Sequence, residues 1–160
     1  MSDTPKTTGP GHAHLVLHVD GASLGNPGPA GAGFVLLDDD GEVVRGNSIP
    51  LGVATNNVAE YQALIAGLSD AAALGVRRLT VRSDSELMIK QLRGEYRVKT
   101  PHLRPLYEWC VKLARRFEKV QWEHVRREFN TVADDLAGEA AKRSRGSSGA
   151  RGASSGELRQ

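Results

Sequence analysis

The spacing of apolar residues changes character along the chain, and each change marks a different kind of element. From His14 to Asp20, Leu15, Leu17 and Val19 alternate with His14, Val16, His18 and Asp20, the two-residue period of a strand. Gly21 ends that strand, and the Gly- and Pro-rich stretch from Ala22 to Gly33 predicts a turn-rich connection. Phe34-Val35-Leu36-Leu37 predicts a second strand, Asp38-Asp39-Asp40-Gly41 a hairpin turn, and Glu42 to Pro50 a third strand. The period then turns helical: Ala59, Leu64, Ile65, Leu68, Ala72 and Leu74 recur at threes and fours until Gly75. A fourth strand, Arg78 to Ser83, and a short helix striped by Leu87, Met88 and Leu92 come next. Thr100-Pro101 is an N-cap and first-turn pair for a helix from Leu103 to Phe117. A fifth strand, Lys119 to Val125, and a last helix, Val132 to Lys142, complete the pattern.

Three antiparallel strands followed by alternating helix and strand predict an α/β fold, a mixed five-stranded sheet flanked by helices. A chain of 160 residues suits one domain with its own core. The expected boundaries are a flexible leader over 1–12, a folded domain over 13–143 and a tail over 144–160. That tail is made largely of Ser, Gly, Ala and Arg, and is expected to be disordered. No apolar run approaches the ~20 residues needed to span a bilayer. The leader lacks the apolar block of a signal peptide, so a soluble cytoplasmic protein with no membrane partner is expected. The single cysteine, Cys110, rules out an internal disulfide and any multi-cysteine zinc site. Its neighbours Leu106, Trp109 and Leu113 predict a buried, inert thiol, and Trp109 and Trp122 are expected in the core rather than as stacking platforms.

Net charge is only +2, but its distribution is uneven. Residues 142–160 carry five basic side chains against one acid, and Lys90 to Arg127 holds eleven against four. A basic region beside a group of acids suits a polyanion held by one and acted on at the other. On charge alone, a solvated face of ordinary helices fits equally well.

Four acids stand where predicted elements begin or end: Asp20, Glu60, Asp84 and Asp134. Carboxylates cost several kcal/mol to crowd together unless a positive charge lies between them, so their convergence would suggest a divalent-cation site. Each also has a structural alternative. Asp20 precedes Gly21, as a turn residue would. Glu60 lies three after Asn57 and Asp134 three after Thr131, as in a capping box, while Asp84 opens a helix whose dipole favours it. An all-carboxylate set without Cys or His at ligand spacing favours hard cations such as Mg²⁺ or Mn²⁺.

The motifs around these acids are Val19-Asp20-Gly21-Ala22-Ser23 with Gly25-Asn26-Pro27-Gly28-Pro29, Thr55-Asn56-Asn57-Val58-Ala59-Glu60, Ser83-Asp84-Ser85 and Asn130-Thr131-Val132-Ala133-Asp134. In order and interval, from about His14 to Arg143, they resemble the four motifs of type 1 ribonuclease H. The resemblance implies that Asp20 bridges two Mg²⁺ ions, that Glu60 and Asp84 hold one, and that Asp134 helps hold the other. Mn²⁺ is expected to substitute. It implies an endonuclease that hydrolyses the RNA strand of RNA/DNA hybrids, leaving 3′-hydroxyl and 5′-phosphate ends. Asp135 is a rival to Asp134, but helical neighbours point about 100° apart and the family motif puts the ligand directly after Ala133.

By the same resemblance, Asn26, Asn56 and Asn57 contact the minor groove near the cut, where the 2′-hydroxyl marks RNA. Thr55 matches a position that grips a DNA phosphate, which fixes register without reading bases. Arg93, Arg97 and Lys99 are expected to track the backbone. The chain departs from many bacterial members in lacking the histidine-bearing loop before the last helix. His124 falls in the fifth strand instead, and Glu128 or Arg126 is the candidate substitute. The basic protrusion is shortened, and Glu86 stands where relatives often carry an amide. A monomer is expected, and the Met start with a short leader favours a free-standing enzyme over a piece of a polymerase. A hybrid-binding module and a DNA nuclease of similar fold are the remaining alternatives.

Overall fold

A computed structural model describes residues 12–154 of the chain, with side chains through residue 146. Most of the leader expected over 1–12 and the end of the expected tail lie outside the described residues. Five strands, β1 (His14–Ser23), β2 (Gly28–Leu37), β3 (Val43–Ala54), β4 (Arg78–Ser83) and β5 (Lys119–His124), form one sheet in the order β3-β2-β1-β4-β5. β1, β2 and β3 are antiparallel, whereas β4 and β5 run parallel to β1. The expected mixed sheet is therefore the one formed. Four helices flank it: α1 (Asn56–Ala73), α2 (Glu86–Leu92), α3 (Arg104–Ala114) and α4 (Thr131–Ser154).

The alternating residues of β1 place Leu15, Leu17 and Val19 on one face. There they are fully buried with Phe34 and Leu36 of β2, Leu79 and Val81 of β4, and the inward side of α1. Each such aliphatic side chain contributes about 1.5–3 kcal/mol by leaving water. The opposite face is built differently. α4 packs on β1, β2 and β3 through Ala133, Ala137, Ala140 and Ala141, all buried.

That second layer explains why β2 starts at Gly28 instead of Phe34. A Cβ on Gly31 would lie 2.4 Å from the Ala140 Cβ and the Ala141 nitrogen, and one on Gly33 2.6 Å from the Ala133 oxygen and the Ala137 nitrogen. The glycines and alanines of this stretch give α4 room to lie against the backbone, and form strand despite their turn-like composition. β1 likewise runs through Gly21 to Ser23 instead of ending at the glycine. β3 continues past Pro50 to Ala54, with a register shift opposite Ala30 and Gly31 that an edge strand accommodates.

Three further expectations change. Pro101–Leu103 forms a 3-10 turn and α3 then ends at Ala114; Thr100 precedes the turn without a side-chain cap. Trp109 is 59% exposed on α3, while Trp122 packs against the core as expected. α4 does not stop at Lys142. Ser144, placed by composition in the tail, is buried, donates to the Ala30 carbonyl at 2.8 Å and accepts from the Leu51 and Gly52 amides. Cys110 is buried as expected, and burial pushes its thiol up to about 12, which leaves it unreactive.

Gly33→Ala is expected to lower unfolding stability by about 1–3 kcal/mol, because backbone atoms of α4 cannot yield to the added methyl. Gly138→Ala, on the same helix but with open space around it, is expected to raise stability by about 0.5–1 kcal/mol. Urea unfolding of the two variants checks both signs.

Candidate active site

Asp20 and Asp84 sit side by side because β1 and β4 are parallel neighbours: His18 is in register with Arg82, and both acids lie two residues further on. Glu60 arrives from α1. Its approach depends on Gly21, where a Cβ would fall 2.3 Å from the Glu60 nitrogen and 2.4 Å from the Ala59 carbonyl carbon. With that approach made, Asp20, Glu60 and Asp84 each present a carboxylate oxygen, and the three oxygens lie within 4.8 Å of one another. Asp20 is 4% exposed.

Asp134 comes from the first turn of α4, where its amide bonds the Asn130 carbonyl at 3.0 Å. Its carboxylate lies outside the tight group of three, hydrogen-bonds Asp20, and takes an ion pair from Arg127 Nη2 at 3.3 Å. The same cleft, about 640 Å³, is bordered by all four acids, and Asp135 also reaches its edge. Of that adjacent pair, Asp134 is the one that raises the Asp20 pKa.

Electrostatics follow from this crowding. Burial, then the hydrogen bond to Asp134 and repulsion from Asp84, Glu60 and Asp134, raise the Asp20 pKa to about 9. Burial and repulsion from Asp84 raise Glu60 to about 7, opposed by a hydrogen bond from Ser85. Ser85 also caps α2 by accepting from the Met88 amide at 3.2 Å. Arg127 faces Asp134, Asp20 and Asp84 from the mouth of the cleft, and its own protonated form is favoured by them.

The substrate residues expected from sequence are placed unevenly. Thr55, not Asn57, caps α1 by accepting from the Val58 amide at 3.2 Å, so the capping-box account of Glu60 fails and its carboxylate is left for the cleft. Asn56 and Asn57 open the helix, Asn56 borders the cleft, and Asn26 Oδ1 accepts from the Asn56 amide at 3.0 Å. Arg97 and Lys99 line a second groove of about 500 Å³ with Leu87, Gln91 and Tyr96. Arg93 is turned away from that groove, its guanidinium donating to the Trp122 carbonyl at 2.6 and 3.0 Å. Glu86 pairs with Lys90 at 2.9 Å.

Neither Glu128 nor Arg126 borders the cleft; Arg127, between them, does. The chain runs there from β5 through a 3-10 turn at Arg127–Phe129 directly into α4. Nothing in the Arg126-Arg127 doublet says which arginine faces the acids. Asn130 opens the fourth motif, and its neighbours in sequence suggest no role for it. It is 1% exposed, donates to the Val19 carbonyl at 2.9 Å and meets His18 Nδ1 at 3.2 Å, which ties the start of α4 to β1 beside Asp20.

The donor set fits a hard divalent cation: three converging carboxylates, with no sulfur or imidazole among them, two of which, Asp20 and Glu60, are raised in pKa by burial and by repulsion from the acids around them. Without cations, Asp20 and Glu60 bind protons more tightly folded than unfolded. Their contribution to stability is then fullest below their ordinary values of 3.8 and 4.5, and is lost as pH rises to about 9 for Asp20 and about 7 for Glu60. The melting temperature in EDTA is expected to fall from pH 5 to pH 9. Added Mg²⁺ should restore most of the loss at pH 8, and Asp20→Asn should flatten the EDTA profile.

Comparison with known proteins bears on this constellation. Residues 18–140 match the family model described as Reverse transcriptase-like. Bifunctional protein Rv2228c of Mycobacterium tuberculosis is 46% identical over 127 residues, 79% of this chain, and the chain spans 35% of that relative's length. Ribonuclease HI of Halobacterium salinarum is 43% identical over 136 residues, covering 85% of this chain and 66% of the relative. Ribonuclease H of Treponema pallidum is 31% identical over 158 residues and is covered to 93% of its length. Among solved structures, the N-terminal RNase H domain of Rv2228c superposes with a TM-score of 0.83 at 43% identity, covering 85% of this chain and 99% of that one. LC11-RNase H1 in complex with an RNA/DNA hybrid superposes at 0.78 and 36% identity, covering 82% and 99%. With the motifs in order, the strand order they require and relatives of this similarity, the chain belongs to the type 1 ribonuclease H family.

Proposed function

We propose that the protein is an endonuclease that hydrolyses the RNA strand of RNA/DNA hybrids, with two Mg²⁺ ions as cofactor and Mn²⁺ able to replace them. The observation that carries this is the meeting of Asp20, Glu60 and Asp84 oxygens within 4.8 Å at the floor of an open cleft. A protein that only bound nucleic acid would gain nothing from unneutralised carboxylates facing phosphates. Asp20, Glu60 and Asp84 would hold one ion, and Asp20 with Asp134 the other. Bound cations supply the activation of an attacking water and the stabilisation of the departing oxygen.

The chain's own groups do the rest. Gly21 and Asn130 hold α1 and α4 against β1, so the acids are positioned before substrate arrives. Arg127 offsets the charge of Asp134 and places a guanidinium at the cleft mouth, where a phosphate would lie. Asn56, at the cleft edge, with Asn26 bonded to it and Asn57 beside it, can donate to a 2′-hydroxyl in a minor groove. Thr55 accepts from the Val58 amide as the helix cap, which leaves its hydroxyl hydrogen to donate to a DNA phosphate beside neighbouring amides. Arg97 and Lys99 would hold backbone phosphates without reading bases, hence little sequence preference. Breakage of the P–O3′ bond gives 3′-hydroxyl and 5′-phosphate ends. No described helix is long and apolar enough to cross a membrane; a cytoplasmic monomer fits this activity.

The native chain with Mg²⁺ is expected to cut a hybrid and to leave duplex DNA intact. Asp84→Asn should fold with an unchanged circular dichroism spectrum and lose at least about 10³-fold in rate, since a ligand to the catalytic cation is gone. Cleavage of duplex DNA at a comparable rate would overturn the substrate assignment. In binding assays with Ca²⁺, neutralising Arg97 and Lys99 together should reduce the slope of log K against log salt by roughly 0.9 for each phosphate no longer held. Arg93→Gln should leave that slope alone and lower stability instead, its donors being committed to the Trp122 carbonyl.

A further inference from the structure

The face of the sheet that α4 packs against carries a second concentration of like charge, at the end opposite the acids. On β4 and β5 the side chains of Arg78, Thr80 and Arg82 run beside those of Lys119, Gln121 and Glu123. The third of these rows pairs opposite charges, Arg82 Nε to Glu123 Oε1 at 2.9 Å. The first pairs like charges: Arg78 is directly in register with Lys119, and His14 of β1 is in register with Arg78 from the other side. Like charges directly opposite one another in a ladder are destabilising, so this row lowers stability unless an anion joins it.

The nearby acid, Asp39, borders the same cavity and offsets part of its positive charge, but its carboxylate pairs with His14 and not with Arg78 or Lys119. Asp39 Oδ1 lies 2.7 Å from His14 Nδ1, and His14 Nε2 lies 2.8 Å from Thr80 Oγ1, so the carboxylate and both ring nitrogens are engaged with one another. Arg78 and Lys119 are exposed and, among the described residues, neither has an acidic partner within 4 Å. Together with His14, Asp39, Leu79 and Gln121 they border a cavity of about 330 Å³. A serine-hydrolase-like use of Asp39, His14 and Thr80 does not fit, because the Thr80 hydroxyl is buried and does not border that cavity.

We propose that Arg78, Lys119 and Gln121 form a binding site for a phosphate group, with His14 and Asp39 at its edge. A guanidinium fork beside an ammonium matches a tetrahedral oxyanion in both geometry and charge. Six residues of strand separate His14 from Asp20, about 20 Å, so a phosphate held here is not the one being cut. The phosphate is carried either by a free nucleotide or by a polynucleotide extending beyond the catalytic cleft.

The full chain in EDTA is to be compared with an Arg78→Gln/Lys119→Gln variant, and with an Arg78→Lys/Lys119→Arg variant that keeps both charges. At matched ionic strength, replacing chloride by inorganic phosphate should raise the melting temperature of the native chain and of the charge-keeping variant by roughly 2–4 °C more than that of the neutralised one. In chloride the neutralised variant should melt no lower than the native chain, which also shows that it folds. Backbone amide shifts on adding phosphate should centre on Arg78, Lys119 and Gln121. If a nucleotide is the source, 5′-AMP reproduces the effect at lower concentration and hybrid binding is unaltered in the neutralised variant. If a polynucleotide is the source, the salt slope of hybrid binding in Ca²⁺ is shallower in that variant by roughly 0.9 for each phosphate released. An equal response of native and neutralised chains to phosphate, together with an equal salt slope for hybrid, would overturn the site.

Discussion

The contact on which the molecule turns is between two backbones. α1 crosses β1 at Gly21 so closely that a methyl group there would overlap the Glu60 amide. Helix axes ordinarily stand about 10 Å from a sheet, with side chains filling the gap. Here the absence of a side chain lets a helix-borne acid reach a strand-borne one. The geometry of the acid cluster is thus a consequence of what is missing at one residue, and the same device recurs at Gly31 and Gly33, where α4 brings Asp134 in from the other side.

Such proximity is unfavourable in itself. Buried carboxylates that cannot all ionise strain against the scaffold, and the burden is met by apolar packing elsewhere: the fully buried Leu15, Leu17, Val19, Leu64, Leu68, Leu79 and Val81. The pKa values of Asp20 and Glu60 are raised by the same burial and crowding. Arg127 relieves part of it from an exposed position, 3.3 Å from Asp134, where it is free to shift when a cation or a phosphate enters. A guanidinium at the rim therefore offsets part of the negative charge within the cleft.

Much of this was legible in the residues alone, for identifiable reasons. Strands and helices with one apolar face declare themselves by period, as β1, β4 and α1 do, and the four acids singled out in four motifs all border one cleft. What stayed hidden depends on contacts between distant segments. The glycines of β2 look like turn residues until the alanine face of α4 is seen against them. Thr55 and Asn57 are equally good caps by composition, and only the chain's entry into α1 chooses Thr55. Trp109 matches an apolar stripe yet is left in solvent: Leu106, Cys110 and Leu113 take the core side of α3, and Trp109 points about 100° away from its neighbour Cys110. Arg126 and Arg127 differ by a rotation that the 3-10 turn sets.

Ser144 carries one more implication. It lies where composition already reads as linker, yet its hydroxyl satisfies three backbone groups on β2 and β3, and Arg143 beside it grips Ser48 at 2.7 and 2.9 Å. This turn of α4 is a clasp that fastens the edge strand β3, so a truncation at Lys142 would unbutton the sheet at its rim. Fraying would then start at β3, far in sequence from the cut and adjacent to it in space.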